Sequence, residues 1–238
     1  MRGRNARRQR DKSEELQMHE VFYTIQGEGP FQGEPAVFMR LTGCNLACEF
    51  CDTEWDDDRD EYKHPDDWAE IARDKADCKT DLVVLTGGEP LRQEIGMLID
   101  ALWAGGFDRF QIETAGSFYQ PILERNGVTT VISPKTSIIN NKIRTGNIDR
   151  YWKYILRAGE IDAEDGLPTA PTQRIKPDSD FLGGGAPARP NFDEIIFVNP
   201  CDDMDEEKNR ANRRATAQSA LNFGYRAGLQ MHKFFGIP

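Results

Sequence analysis

Three closely spaced cysteines stand in the stretch Gly43-Cys44-Asn45-Leu46-Ala47-Cys48-Glu49-Phe50-Cys51-Asp52-Thr53. Cys44, Cys48 and Cys51 are separated by three and then two residues, and no fourth cysteine lies nearby. Short loops of thiolates hold iron–sulfur clusters, and a four-iron cluster needs four such ligands to be fully coordinated. Three thiolates would leave one iron open to bind a small molecule and to pass it an electron. The spacing therefore indicates chemistry at the metal.

Two other interpretations of the cysteines remain open on the loop alone. A structural zinc ion would need a fourth ligand, for which Cys78, Cys201 and His64 are available in the sequence. The cysteines could also be unrelated buried thiols, because free cysteine often behaves as a small hydrophobic residue.

Length and composition favour a single α/β domain in a reducing compartment. A chain of 238 residues can bury a full core within one domain. No apolar run is long enough to cross a bilayer, and no apolar segment follows the basic amino terminus as a signal peptide requires. The odd number of cysteines argues against a disulfide framework. We expect a cytoplasmic protein with no membrane partner and no disulfide.

The charge is divided unevenly along the chain. The net charge is −10, but residues 1–12 carry six basic side chains against Asp11, which leaves a strongly acidic body. Residues 1–17 are therefore predicted to be a disordered basic arm, and residues 18–238 the folded domain. The acidic body argues against an extended nucleic-acid surface.

Strands and helices alternate along the body, which predicts parallel βαβ units. The predicted strands cover residues 20–25, 36–41, 82–86, 110–114, 128–132, 151–156 and 194–198. Helices are predicted to open at Pro65 and at or just after Pro90, and to cover residues 119–125 and 206–223.

Two further segments have weaker patterns. Residues 157–191 are rich in glycine and proline and are predicted to form a flexible insertion. The stretch 225–238 predicts a strand through Met231 and His232. Its apolar end, with Phe234, Phe235 and Ile237, is expected to dock into the body.

Two glycine-containing loops are candidate ligand sites. The turn of residues 26–30 holds one carboxylate, Glu28, between glycines, which allow the backbone to approach a ligand closely. Gly87-Gly88-Glu89-Pro90 follows a buried strand, and loops in that position line the ligand crevice of α/β folds. Arg40, just before the cysteine loop, is a candidate clamp for a carboxylate, with a surface ion pair as the alternative.

Together, the cysteine loop and the loop of residues 86–90 resemble two hallmarks of the radical S-adenosylmethionine (SAM) superfamily. Phe50, just before the last cysteine, also fits that resemblance. The resemblance implies that SAM chelates the open iron through its amine and carboxylate. It also implies an α/β fold, a partial, modified (β/α) barrel.

A finer resemblance is to the 7-carboxy-7-deazaguanine synthase family, carried by residues 22–30, 36–53, 133–135 and 229–238. It implies a lyase that rearranges 6-carboxy-5,6,7,8-tetrahydropterin into 7-carboxy-7-deazaguanine with loss of ammonia, in deazapurine (queuosine-type) biosynthesis. A 4Fe-4S cluster, SAM and Mg²⁺ would be the cofactors. The implied partners are the pterin, a second copy of the chain in a homodimer, and an electron donor such as flavodoxin or ferredoxin.

The finer resemblance also implies roles for individual residues. Cys44, Cys48 and Cys51 would hold the cluster, and Thr53 would meet the magnesium ion together with substrate carboxylate and water. The implied substrate contacts are Ile25, Gln26, Gly27, Glu28, Arg40, Thr86, His232 and the carboxylate of Pro238. The implied SAM contacts are Phe50, Asp52, Gly88, Ser133, Pro134, Lys135, Asn199, Pro200, Cys201 and Asp202.

Several points remain open at the level of the sequence. Glu28 is a candidate catalytic residue that exchanges a proton, but a carboxylate that only hydrogen-bonds the aminopyrimidine edge is the alternative. Asn199 stands where the family usually has glutamine, which weakens its assignment. The rival functions are a glycyl-radical-enzyme activating enzyme and, from another class, a zinc-bound nucleic-acid-binding module.

Overall fold

One mixed sheet organises the chain in the computed structural model, which describes residues 10–46, 48, 61–170, 185–191 and 194–237. Within these ranges its strands are β1 (Leu16–Ile25), β2 (Pro35–Leu41), β3 (Glu61–Lys63), β4 (Leu82–Gly87), β5 (Arg109–Thr114), β6 (Val128–Ile132), β7 (Asp149–Leu156), β8 (Ile196–Pro200) and β9 (Arg226–Ala227).

The sheet is parallel over most of its width. Its strand order is β3-β1-β2-β4-β5-β6-β7-β8-β9. β1 pairs antiparallel with β2 and β3, and every neighbouring pair from β2 to β9 is parallel. β3 and β9 form the two edges, so the sheet does not close on itself. This architecture confirms the predicted α/β class and agrees with a partial barrel.

The helices are α1 (Pro65–Ala76), α2 (Gly96–Ala104), α3 (Asn141–Thr145), α4 (Glu206–Phe223) and α5 (Met231–Phe235). α4 has the bounds that its sequence predicts. The Asp205 side chain accepts hydrogen bonds from two backbone N–H groups of its first turn, and Gly224 ends it with φ of 75°. None of the helices in the described ranges is long and apolar enough to span a bilayer.

The two faces of the sheet differ in chemistry. One face carries fully buried apolar side chains such as Leu85, Ile112 and Trp152, which pack in the main core with residues of α1 and α2. Strand alternation and the parallel register place polar residues on the other, concave face. These residues are Arg40, Thr86, Gln111, Glu113, Lys153 and Asn199.

Two predicted helices begin later or are shorter than expected. After Pro90 the chain makes one 3-10 turn, Pro90–Arg92, and the α-helix starts only at Gly96. The buried Gln120 side chain explains the delay, because it accepts from the Ile95 N–H and donates to the Leu91 carbonyl. Those backbone groups are thereby diverted from helical hydrogen bonds. Similarly, the helix predicted for residues 119–125 is reduced to a 3-10 turn, Pro121–Glu124.

The strand predicted through Met231 and His232 is wrong, because these residues open α5. The preceding strand, β9, has only two residues, and Gly236 ends α5 with φ of 65°. Docking of the apolar end is also wrong for its aromatic residues. Phe234 is 85% exposed and Phe235 is 53% exposed, because the short helix directs both rings outward.

The structure differs from two further predictions, the disordered arm of residues 1–17 and the flexible insertion of residues 157–191. Residues 16 and 17 belong to the sheet and not to a disordered arm, since β1 begins at Leu16, whose side chain is fully buried. The described parts of the 157–191 segment also pack against the body. The Tyr225 hydroxyl donates to the Asp165 carbonyl, and Leu167 and Ala188 are buried. Residues 1–9 and 171–184 lie outside the described ranges.

Candidate functional site

The cysteine loop and the loop after β4 are in direct contact. The Glu89 N–H donates to the Gly43 carbonyl across 2.9 Å. A Cβ atom on Gly88 would lie 2.3 Å from that carbonyl oxygen, and one on Gly87 would lie 2.0 Å from the Leu41 carbonyl oxygen. A side chain at either position would collide with backbone, so both glycines are required for this approach. The packing fixes Cys44 at the carboxyl edge of the sheet.

The described part of the cysteine loop fits ligands of an iron–sulfur cluster. Cys44 and Cys48 are both partly exposed. The Leu46 N–H donates to the Cys44 sulfur across 3.4 Å, and such bonds stabilise cluster thiolates. Cys51, Phe50, Asp52 and Thr53 lie outside the described residues. Among those described, no three His, Cys, Asp or Glu side chains gather as a metal site.

The three residues considered as a possible fourth zinc ligand lie apart from one another. His64 caps the amino end of α1, and Cys78 follows the carboxyl end of the same helix. Cys201 lies on the opposite side of the sheet order, just after β8, where the Arg157 guanidinium donates to its sulfur. Burial raises the pKa of the Cys201 thiol, although the Arg157 charge opposes that effect.

Glu89 links the loop after β4 to the next strand. Its carboxylate accepts from the Thr114 hydroxyl and from the backbone N–H groups of Leu91 and Ala115. Complete burial raises the pKa of Glu89 to about 6, even though these donors favour the ionised form. The loop conformation is therefore held by a buried carboxyl group and its donors.

Those residues assigned to SAM by the resemblance that the structure describes lie at the carboxyl ends of three parallel strands. Gly88 follows β4, the segment Ser133, Pro134 and Lys135 follows β6, and Asn199 to Asp202 end and follow β8. Parallel strands bring these ends to the same edge of the sheet. Lys135 donates to the Ser133 hydroxyl, and Asp202 pairs with Lys233 of α5 at 2.9 Å.

A buried charge network lies on the concave face. The Lys153 ammonium donates to Glu28 across 2.6 Å and also to Glu113. Glu113 further accepts from the Gln111 amide at 2.7 Å and from the Gln26 amide at 3.4 Å. Two carboxylates therefore share one cation, and the set retains an excess negative charge.

The network keeps Glu28 ionised. Burial by itself would raise the pKa of Glu28, but the Lys153 charge, its hydrogen bond and the nearby His232 and Asn199 together lower it. Burial would lower the pKa of Lys153, but Glu113 and Glu28 outweigh that effect and raise it. Glu28 is therefore a hydrogen-bond acceptor at neutral pH.

Helix α5 covers the turn after β1. The Met231 N–H donates to the Gly27 carbonyl at 3.4 Å. A Cβ on Gly27 would lie 2.4 Å from His232 Nδ1, so the imidazole rests directly on this glycine. Glu28 and the Asn199 amide lie close enough for Asn199 to lower the pKa of Glu28, but within the described chain neither Glu28 Oε1 nor that amide completes a hydrogen bond of good geometry. Buried polar atoms without partners at one place indicate room for a polar ligand.

Arg40 and Thr86 are adjacent on β2 and β4. Arg40 forms an ion pair with Glu20 at 2.7 Å and lies over the Phe22 ring, with its guanidinium carbon 5.8 Å from the ring centroid. The surface ion pair considered from the sequence is therefore present. Ile25 ends β1 opposite Pro35, and Pro238 lies outside the described residues.

Sequence reasoning did not assign Glu113, Lys153 or Gln111 to the site. A signal was present, because buried parallel strands normally consist of nearly continuous apolar residues. β5 and β7 interrupt that pattern at these positions: Gln111 and Lys153 each lie between two apolar or aromatic residues, and Glu113 follows Ile112. Polar residues at alternate positions of a buried strand predict a polar ligand or an internal ion pair.

Comparisons with known proteins show the family of the chain. The model of the Radical SAM superfamily matches residues 39–162. The 7-carboxy-7-deazaguanine synthase of Rhodospirillum rubrum is 43% identical over 248 aligned positions, which cover 100% of both chains. The Rickettsia prowazekii enzyme of the same name is 36% identical and covers 93% of this chain and 88% of its own.

A solved structure shares the fold. The crystal structure of QueE from Escherichia coli superposes with a TM-score of 0.64 at 24% identity. The match covers 90% of this chain and 93% of that chain. The open sheet and the loops at its carboxyl edge thus have a counterpart of known structure.

Proposed function

Because the chain belongs to the radical SAM superfamily, and within it to the 7-carboxy-7-deazaguanine synthases, we propose that it converts 6-carboxy-5,6,7,8-tetrahydropterin into 7-carboxy-7-deazaguanine and ammonia. The observation that supports this most is the contact between Gly27 and His232. These residues come from two segments, distant in sequence, that both resemble the family. Their contact brings the two segments together next to Glu28 and its partner Lys153.

The superfamily implies a 4Fe-4S cluster and SAM, and the residues present fit both. We propose that Cys44, Cys48 and Cys51 hold the cluster. Bound there, the cluster and SAM would supply the one-electron radical chemistry that removes a hydrogen atom from the pterin. The implied SAM contacts after β4, β6 and β8 would hold the cofactor at the carboxyl edge of the sheet.

The concave face would recognise the substrate. The aminopyrimidine edge of a pterin presents several N–H donors, and the ionised Glu28 offers an unsatisfied acceptor atom. We therefore assign Glu28 to recognition of that edge and not to proton donation. Lys153 would hold Glu28 and Glu113 in place without cancelling the charge of both. Arg40, once released from Glu20, would pair with the substrate carboxylate.

The finer parts of the proposal concern magnesium and partners. A single threonine oxygen, from Thr53, would meet Mg²⁺ with substrate carboxylate and water completing the octahedron. We also propose a homodimer and reduction of the cluster by flavodoxin or ferredoxin. Mass measurement in solution tests the dimer, and SAM cleavage with each purified donor tests the electron transfer.

Conversion of the pterin by anaerobically reconstituted protein tests the function. We expect 7-carboxy-7-deazaguanine, identified by mass spectrometry, and a magnesium stimulation that Thr53→Ala weakens more than it weakens SAM binding. SAM cleavage without any change of the pterin would contradict the substrate assignment. An unchanged magnesium response in the variant would remove only the role of Thr53. A colourless protein that binds zinc would contradict the radical mechanism itself.

A further inference from the structure

A buried arginine lies against the start of the cysteine loop. Arg92 ends the 3-10 turn after the loop of residues 86–90, and only 3% of its surface is exposed. A Cβ on Gly43 would lie 2.6 Å from Arg92 Nε and 2.8 Å from Nη2. The guanidinium therefore rests on Gly43, whose φ of 85° suits a glycine, and Gly43 directly precedes Cys44.

The hydrogen bonds of Arg92 tie it to the same loop. Its Nη2 donates to the Thr42 carbonyl across 3.2 Å, and the neighbouring Gln93 amide donates to that carbonyl across 3.0 Å. Thr42 and Gly43, which lead into the cysteine loop, are thus held between the Arg92 side chain and the Gly88 backbone.

A carboxylate lies close to the positive charge of Arg92. The Asp11 carboxylate lies 3.7 Å from Arg92 Nη1, and its side chain is 28% exposed. The Glu89 carboxylate points instead toward Thr114 and Ala115 on the next strand. Arginine stays protonated over the whole physiological pH range, so this charge is permanent.

We propose that Arg92 is a positioning residue that raises the reduction potential of the cluster held by the cysteine loop. Reduction from [4Fe-4S]²⁺ to [4Fe-4S]⁺ adds one electron, and thus one negative charge, to a partly buried site. A fixed cation close to that site stabilises the reduced form more than the oxidised form. Asp11 opposes this effect by partly neutralising the guanidinium. The inference rests on the cluster of the proposed function and not on its substrate.

The proposal predicts shifts of opposite sign in the midpoint potential of the cluster for two variants. Arg92→Met removes the cation, and the midpoint potential should become more negative. Asp11→Asn removes the neutralising carboxylate, and the potential should become more positive. Arg92→Lys keeps the charge and should stay nearer to wild type than Arg92→Met. The measurement is a redox titration with dithionite, followed by the electron paramagnetic resonance signal, in the absence of pterin.

Arg150→Met is the matched control. Arg150 is also largely buried, pairs with Glu194 at 2.7 Å and donates to backbone carbonyls, but it lies at the start of β7, away from the cysteine loop. Its loss should leave the potential unchanged. Iron and sulfide content per chain show whether each variant holds the cluster.

Shifts of the same sign in Arg92→Met and Asp11→Asn, or no shift in Asp11→Asn, would overturn the proposal. If Arg92→Met fails to hold iron, the sign of the shift in midpoint potential in Asp11→Asn still tests the proposal. Wild-type protein that binds no iron would overturn the proposed function together with this inference. A normal cluster with the expected shifts but no conversion of the pterin would contradict only the substrate.

Discussion

Lys153 donates a hydrogen bond to Glu28 across 2.6 Å, although the two residues lie 125 positions apart in the sequence. The bond joins β7 to the turn after β1. The Lys153 ammonium also reaches Glu113, so one buried cation stabilises two buried carboxylates.

Replacing Lys153 with methionine should destabilise the fold strongly. The change leaves Glu28 and Glu113 buried without their cation, and breaking a buried pair costs about 3–5 kcal/mol. Urea unfolding of both proteins at neutral pH measures the difference. Arg213→Met, which removes an exposed ion pair with Glu206, is the control and should unfold like wild type. Equal midpoints for the Lys153 variant and wild type would show that the network contributes little.

Glu28→Gln should impair use of the pterin while sparing SAM binding. Glutamine keeps the size of the side chain but loses the charge, and Lys153 retains Glu113 as a partner. Hydrogen bonds to charged groups contribute about 1.5–3 kcal/mol, so kcat/KM for the pterin should fall by about 10- to 100-fold. Steady-state kinetics and a separate SAM-binding titration measure both effects. Unaltered pterin kinetics would remove Glu28 from substrate recognition.

Loss of any one cysteine of the loop should abolish SAM cleavage. Cys44→Ala, Cys48→Ala and Cys51→Ala each remove a thiolate that the cluster requires. Iron content and 5′-deoxyadenosine release after reconstitution are the measurements. Cys78→Ala is the control, because this exposed cysteine lies beyond α1 and should leave both values unchanged. Iron loss in the control would indicate a four-cysteine site.

Stability should depend on pH through Glu89. Its pKa is raised from 4.5 to about 6, so the folded chain holds the Glu89 proton more tightly than the unfolded chain does. Its contribution is complete below about pH 4.5 and is lost as the pH rises through about 6, a loss of about 2 kcal/mol.

The matching variant is Glu89→Gln, which does not titrate. As the pH rises from about 4.5 to above about 6, the free energy of unfolding of wild type should fall relative to that of the variant. Urea unfolding of both proteins at several pH values measures this difference. Parallel pH profiles of the two proteins would show that the Glu89 pKa is ordinary.

A short Gly-Ser extension after Pro238 should raise the KM for the pterin or stop turnover. His232 of α5 rests on Gly27, and the Ile237 N–H donates to the His232 carbonyl at 3.1 Å. Ile237, the last described residue, is therefore tied to the residue that rests on Gly27. Iron content and SAM binding should persist in the extended protein. Pterin kinetics equal to those of wild type would refute a role for the Pro238 carboxylate.

Local patterns in the sequence predicted most of the sheet and the long helices. β6 and α4 have the predicted bounds, because a run of β-branched residues defines the strand locally and a pair of caps defines the helix. The helix after Pro90 was misplaced because its start depends on Gln120, a residue distant in sequence. α5 was mistaken for a strand because five residues carry too little periodic signal to separate the two structures.

The site was predicted in part for a similar reason. The cysteine and glycine loops have short-range motifs, and their contact follows from parallel neighbouring strands. The partners of Glu28 could not be identified from any motif, because Lys153 and Glu113 meet it only through the register of three separate strands. Their polarity within apolar strands was the only sign of them in the sequence.

The order of strands in the sheet has a consequence for synthesis on the ribosome. From β5 to β9 each strand pairs with the strand that precedes it along the chain, so the sheet can extend in the order in which the polypeptide emerges. The Glu28 carboxylate emerges early and stays hydrated until β7 delivers Lys153. The pocket closes only when α5 has emerged and reached Gly27. The strand order would therefore let most of the core pack before α5 is available to complete the proposed substrate site.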